Sequence, residues 1–199
     1  NTIDKAIKPD FEALGINDKN ELIAFGSGSK SPQRDLFIKV SLSDSVQVET
    51  LNITHFYNSL RQLDVLKNRE LNIEAVTFFE GNIYLFNRDG NIIFCFVYKE
   101  LIESFKDFNV TLQPKIVQFE LPKIMGIQAG FSGATLFNEK PAIIFTASVE
   151  NTDNAYDDGE ILGSFVGIIN IQNNELSSTV QHVLIPKDED ALKIESVVI

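Results

Sequence analysis

The chain has 199 residues, of which 44% are hydrophobic and 10% aromatic, and its net charge is −11 at pH 7. This composition is typical of a packed globular protein and excludes a disordered chain. The acidic surface argues against nucleic acid as a partner, because that binding requires Lys and Arg to neutralise phosphates. No apolar run in the sequence is as long as a membrane span, so we expect no transmembrane helix.

One four-residue motif returns at nearly regular intervals along the chain. It reads Phe11-Glu12-Ala13-Leu14, Ile73-Glu74-Ala75-Val76, Phe131-Ser132-Gly133-Ala134 and Ile194-Glu195-Ser196-Val197. The second position falls at residues 12, 74, 132 and 195, which gives steps of 62, 58 and 63 residues. A period of this size, carried by strand-like segments, indicates a repeat architecture.

Each repeat is predicted to contain four short strands separated by turns. The predicted strands are 11–16, 22–25, 36–42 and 46–53 in the first repeat, 73–79, 83–86, 92–98 and 116–121 in the second, and 131–137, 141–149, 165–171 and 179–185 in the third. Asp89-Gly90 is a hairpin signal, because glycine readily takes the positive φ that such a turn needs. Four antiparallel strands per repeat are typical of a β-propeller blade.

We therefore predict an all-β fold, a β-propeller segment that forms one domain over residues 1–199. Its blades span 11–53, 73–121 and 131–185, and residues 193–199 form the first strand of a further blade. Propellers close with about four to eight blades, so three blades leave two sheet faces open. We favour a segment of a larger ring, because the last strand belongs to an incomplete blade; self-association of two copies is the alternative.

Two helices and one cysteine interrupt the strand pattern. Thr54 is predicted to cap a helix that reaches Leu66, and Tyr98–Phe105 is predicted to form a second helical turn. Cys95, the only cysteine, lies in an apolar strand and reads as a buried thiol. It excludes an internal disulfide and leaves the compartment open, with a preference for the cytoplasm.

Three motif-like segments fail the tests for known sites. Gly26–Ser31 lacks the Gly-Lys pair of a phosphate loop, although its glycine-rich backbone beside Arg34 leaves an anion site open, with a flexible hairpin as the alternative. Ser132 is not in a nucleophile elbow, since Ala134 replaces the second glycine. The acidic segment 153–160 does not fit an EF-hand, but a different calcium loop or a solvated loop both remain open.

A ligand site is predicted where three loops meet. The loops 26–34, 87–91 and 151–163 each join the second and third strands of a blade, and so should emerge on one side. This arrangement would place Arg34, Arg88, Asp157 and Asp158 around a common surface. Mixed charges of this kind suit a zwitterionic or phosphorylated small molecule, or a partner protein. The alternative is three ordinary solvated hairpins.

The repeated glutamates form a second candidate site. Glu12, Glu74 and Glu195 occupy equivalent positions, which predicts a ring of carboxylates around the propeller axis. Like charges raise one another's pKa unless a cation or hydrogen-bond donors intervene. The ring is therefore either a calcium site or a structural set of carboxylates that neighbouring amides satisfy.

Several of these motifs resemble a family of uncharacterised bacterial β-propeller proteins. The resemblance rests on segments 10–14, 24–29, 72–75, 130–132 and 147–164. The Ile-Glu-Ala and Ile-Glu-Ser openings are also distantly similar to esterase-like phytase domains, whose enzymes hold calcium and phosphate with acidic clusters. The first resemblance implies a propeller without an established activity. The hypotheses are a binding or scaffold propeller of unknown ligand and, as the alternative, a calcium-assisted phosphoesterase or related hydrolase; whether the chain is an enzyme stays open.

Overall fold

The sequence repeat corresponds to three successive antiparallel sheets. The computed structural model describes residues 7–42, 45–107, 110, 112–137, 139–152, 159–186 and 191–199. Within these residues there are four antiparallel sheets, the three repeats and a two-stranded hairpin. The fold is thus all-β, as predicted, and its successive sheets are those of a β-propeller-like segment.

The strands follow one another in order within each sheet. Blade 1 contains β1 (Phe11–Ile16), β2 (Glu21–Gly26), β3 (Leu36–Leu42) and β4 (Val46–Asn52), and is followed by α1 (Thr54–Arg61) and a 3-10 turn at Asp64–Leu66. Blade 2 contains β5 (Ile73–Phe79), β6 (Asn82–Asn87), β7 (Ile92–Val97) and β8 (Lys115–Gln118), with α2 (Tyr98–Ser104) between β7 and β8. The hairpin of β9 (Lys123–Ile124) and β10 (Ile127–Gln128) precedes blade 3, which contains β11 (Gly130–Phe137), β12 (Ala142–Asn151), β13 (Glu160–Gln172), β14 (Glu175–Leu176) and β15 (Gln181–Leu184).

The first strands of the three blades lie side by side. β5 contacts β1 on one side and β11 on the other. Each of these inner strands has a register shift at the second motif position, between Phe11 and Ala13, between Ile73 and Ala75, and between Phe131 and Gly133. A β-bulge leaves one residue unpaired and changes the direction of its side chain. The motif therefore marks a bulge that repeats in every blade.

Phenylalanine fills the space between the blades. One buried cluster joins blades 1 and 2, and another joins blades 2 and 3. In the second cluster the Phe131 ring lies edge-on to Phe86 and Phe145, with centroids 5.1 and 5.3 Å away. Edge-to-face aromatic pairs add to the stabilisation from burial of apolar area, and most of the described phenylalanines are buried in these two clusters.

The first helix begins differently from the prediction. The N-cap of α1 is Ile53, and Thr54 is already inside the helix. Asn52 supplies the cap instead, because its Oδ1 accepts the Thr54 backbone N–H at 3.0 Å. The helix also ends at Arg61 rather than Leu66, and the chain continues as a 3-10 turn. Among the described residues, none of the helices is long and apolar enough to cross a membrane.

Residues 193–199, predicted as a strand, have no strand ladder within the described part of the chain. They still lie beside β11, because Ser132 Oγ donates to the Ile194 carbonyl at 2.6 Å. The β9–β10 hairpin was missed because two-residue strands are too short to show a periodic pattern.

Candidate functional site

The bulges bring the repeated carboxylates together. Glu12 and Glu74 are the unpaired residues of the bulges in β1 and β5. Glu12 senses the charges of both Glu74 and Glu195. The three glutamates predicted from the repeat therefore share one electrostatic environment where the inner strands begin. We call this region the charged mouth; it also contains Asp10, Glu150, Arg88 and Lys193.

The pKa of Glu12 is raised to about 7. Partial burial is the largest cause, followed by the charges of Glu74 and Asp10, a hydrogen bond with Asp10 and the charge of Glu195. The side chain keeps an exposed surface, but neighbouring atoms in the mouth still reduce its hydration. Glu12 therefore holds its proton to a higher pH than an ordinary glutamate does.

Glu74 is more enclosed than Glu12. Burial raises the pKa of Glu74, and the positive charges of Arg88 and Lys193 oppose that rise. Asn72 Nδ2 donates to Glu74 Oε1 at 2.8 Å. Glu74 is thus held by a neutral donor and two cations that act from a distance.

The cations of the mouth are engaged with other carboxylates. Lys193 Nζ lies 2.8 Å from Glu195 and 3.2 Å from Glu150, and Arg88 Nη2 lies 2.9 Å from Glu150. Burial alone would lower the pKa of Lys193, but these contacts raise it overall. Neither Glu12 nor Glu74 forms an ion pair with a described cation.

Arg88 joins blades 2 and 3. Besides Glu150 it donates to Ser148 Oγ at 3.1 Å. On the same side Asn91 Nδ2 donates to the Ala129 carbonyl at 2.9 Å, and Asn91 Oδ1 accepts the Phe131 N–H at 3.1 Å. Arg88 and Asn91 thus connect the β6–β7 loop to blade 3, and they line a cavity of about 430 Å³ between the two blades.

Arg34 lies in a tightly held loop. Its side chain is 3% exposed, forms an ion pair with Asp10 and donates to Ser29 Oγ at 2.7 Å. Tyr57 in α1 fixes the same loop, because its hydroxyl donates to the Gly26 carbonyl at 2.7 Å. Gly28 needs to be glycine, since its φ is +74° and a Cβ would come within 2.9 Å of the Tyr57 ring. The loop is therefore not the flexible hairpin considered above, and Arg34 does not face solvent.

The described parts of the three loops lie where the inner strands begin. The Ser27 N–H donates to the Asp10 carbonyl just before β1, and the Arg88 N–H donates to the Asn72 carbonyl just before β5, each at 2.9 Å. The third loop follows Glu150, the partner of Arg88. Arg34 and Arg88 are therefore on the same side but in separate ion pairs. Asp157 and Asp158 lie outside the described residues.

In the described part of the chain, no group of three or more His, Cys, Asp or Glu side chains is close enough to hold a metal ion. Calcium takes about six to eight oxygen ligands. Glu12, Glu74 and Glu195 influence one another electrostatically without forming that shell.

A comparison with protein families covers residues 1–199 with one family model. The chain belongs to DUF6929, a family of unknown function. A comparison with curated proteins finds no match. DUF6929 membership agrees with the resemblance to uncharacterised proteins, and the phytase-like similarity stays a prediction.

Three charged residues of the charged mouth were not predicted from the sequence. Asp10 directly precedes the first motif, and Lys193 directly precedes the last. Their position next to the repeat was a signal that could have identified both. Glu150 lies at the end of β12 and had no such signal, because its partners Arg88 and Lys193 are distant in sequence.

Proposed function

We propose that this chain is a binding propeller whose charged mouth takes a small molecule with an ammonium group. The observation that carries the proposal is that two repeat-positioned carboxylates, Glu12 and Glu74, lie at bulges and form no close ion pair with a described cation, although Arg88 and Lys193 act on Glu74 from a distance. Bulges direct side chains at functional sites. The nearby carboxylates Glu150 and Glu195, in contrast, have Arg88 and Lys193.

A bound ammonium group would replace the proton that Glu12 holds. Because the pKa of Glu12 is raised to about 7, its carboxyl group is mostly neutral at pH 6 and mostly charged at pH 8. An attached cation stabilises the charged form and lowers that pKa. Binding therefore releases a proton, and affinity rises between pH 6 and pH 8 by up to about tenfold per unit for one coupled proton.

The mouth suits a zwitterionic ligand, because the negative group of such a ligand also has a place to bind. Lys193 is partly exposed, with 31% of its side chain accessible. A carboxylate of the ligand near Lys193 would sit beside the ammonium group held by Glu12 and Glu74. We therefore name small amino acids and betaines as the zwitterionic class, and diamines as the cationic comparison.

The test is thermal unfolding with glycine betaine, putrescine or calcium chloride at pH 6 and pH 8, with sodium chloride at matched ionic strength. We expect an organic cation to raise Tm more at pH 8 than at pH 6. Glu12→Gln and Glu74→Gln should remove the effect, and Glu139→Gln, in an exposed turn outside the mouth, should retain it. Equal shifts in Glu12→Gln and the original chain would refute the proposal.

The calcium arm addresses the alternative function. The hypothesis of a calcium-assisted phosphoesterase is supported by the sequence resemblance. Among the described residues, no three His, Cys, Asp or Glu side chains are grouped closely enough to hold a metal ion. A rise in Tm with calcium alone, lost in Glu12→Gln, would favour that hydrolase over an amine-binding protein.

A further inference from the structure

A row of three polar side chains crosses blade 2, away from the charged mouth. Tyr84 on β6 pairs with Cys95 on β7, and Cys95 pairs with Lys115 on β8. Residues directly opposite one another in an antiparallel sheet share a face. The hydroxyl, the thiol and the ammonium group therefore lie in line on the face that packs against blade 3.

This row lines a cavity of about 240 Å³ between the two blades. Blade 2 contributes the row together with Ile116 and Val117, and blade 3 contributes the turn between β13 and β14 with Leu176. Ligand pockets commonly combine an apolar lining with a few polar groups that fix orientation. The cavity has this composition.

Tyr84 has a buried hydroxyl that the protein does not satisfy. Only 1% of the residue is exposed, and its hydroxyl has no hydrogen-bond partner of acceptable geometry among the described residues. The neighbouring Cys95 thiol interacts with it, but sulfur is a weak acceptor. Buried polar groups are normally hydrogen-bonded, so this hydroxyl calls for an acceptor in the cavity.

The polar groups of the row are all donors at neutral pH. Burial raises the pKa of both Tyr84 and Cys95, so both remain protonated, and the Lys115 ammonium group is a donor as well. Glu175 faces Lys115 at 3.6 Å, but both side chains are more than 70% exposed. Such an exposed pair contributes little, and an anion could replace Glu175 beside Lys115.

We propose that this cavity binds a short-chain carboxylate, which accepts hydrogen bonds from Tyr84 and Lys115 and lays its alkyl chain against Val117 and Leu176. The site is separate from the charged mouth and does not depend on the function proposed for it.

Cys95 provides a direct reporter, because it is the only cysteine in the chain. Its alkylation by iodoacetamide, followed by intact mass, measures access to the cavity. Butyrate at about ten times its dissociation constant should slow alkylation about tenfold, since only the unoccupied fraction reacts. Butylamine, of similar size but opposite charge, and sodium chloride should not slow it.

Two variants test the donors, and a third is the matched control. Tyr84→Phe and Lys115→Met should each abolish the protection by butyrate. Protection is measured within each variant as the ratio of the alkylation rates without and with butyrate, because Lys115 also lowers the pKa of the thiol. Tyr98→Phe removes another hydroxyl without a described partner, outside this cavity, and should retain the protection. Tyr84→Phe should fold normally, since the hydroxyl that it removes interacts only with the weakly accepting Cys95 thiol.

Two results would overturn the proposal and indicate a cavity that holds only water. One is an equal effect of butyrate and butylamine on alkylation, and the other is protection that survives in both Tyr84→Phe and Lys115→Met. Glu12→Gln should leave the protection unchanged. A failure of the amine-binding test and a failure of this test are therefore distinguishable.

Discussion

At the residue scale, the same amino acid serves different purposes according to its partner. Arg34 is buried in an ion pair with Asp10, and Arg88 joins two blades through Glu150. Glu12 has no described cation and keeps a raised pKa. Charged residues with close partners hold the fold together, and we propose the carboxylates without a close ion pair as the ligand site.

Glu12 should make stability depend on pH. Its pKa rises from 4.5 to about 7 on folding, so the folded state binds the proton more tightly than the unfolded state. The associated stability is present below pH 4.5 and is lost as pH rises to about 7. Glu12→Gln should remove this loss. Its effect on the free energy of unfolding, relative to the original chain, should be more stabilising at pH 8 than at pH 5 by about 1 kcal/mol, after allowance for solvent screening of an exposed group.

Urea unfolding of both proteins at pH 5 and pH 8 measures this difference in the free energy of unfolding. Glu139→Gln is the control, because it removes an exposed carboxylate elsewhere. An effect of Glu12→Gln that is the same at both pH values would contradict the assignment.

At the element scale, α1 holds the β2–β3 loop against blade 1. Arg61 near the end of α1 donates to Asp35 Oδ1 at 2.7 Å and to the Gly28 carbonyl at 2.7 Å. Asp35 is completely buried and also accepts from Ser31 Oγ at 2.6 Å. The helix therefore fixes a loop that would otherwise be a long surface hairpin.

Arg61→Met should destabilise the protein strongly. It leaves the buried Asp35 carboxylate without its cation, which costs about 3 kcal/mol. Chemical unfolding at pH 7 gives the value, with Lys99→Met as the comparison. Lys99 and Glu103 form an exposed pair at 3.9 Å, which is worth less than about 0.5 kcal/mol. Similar losses of unfolding free energy in the two variants would show that the Arg61–Asp35 ion pair does not stabilise the fold.

At the scale of the whole molecule, neighbouring blades share buried apolar clusters. One apolar cluster joins blades 1 and 2 and another joins blades 2 and 3. In repeat proteins, stability is approximately the sum of the repeats and the interfaces between neighbours. A change at one interface should therefore act on the adjacent blades first.

Arg88→Met tests this expectation at the interface of blades 2 and 3. Loss of the partly buried ion pair with Glu150 should cost about 2 kcal/mol, because the carboxylate loses a close partner. Hydrogen exchange should become faster in β11 and β12 and stay unchanged in β2 and β3. Faster exchange throughout all three blades would mean that the molecule opens as a single unit instead.

Local patterns in the sequence determined the strands of this protein. Apolar and β-branched runs, turn residues and the repeated motif located β1 to β8, because a strand and its hairpin partner are close together in sequence. The same patterns located α2, but they placed the start of α1 at the wrong residue, since Asn52 rather than Thr54 provides the cap.

The tertiary structure alone decided the roles of the charged residues. Arg88 and Glu150 are 62 residues apart, and Arg61 and Asp35 are 26 apart. No local pattern specifies such pairs, because they depend on how blades and helices pack. The repeat predicted that Glu12 and Glu74 are equivalent, but the bulges and the surrounding charges determined which carboxylates lack a cation. The sequence thus determines the repeated framework, and the packing of the blades decides which charged side chains meet.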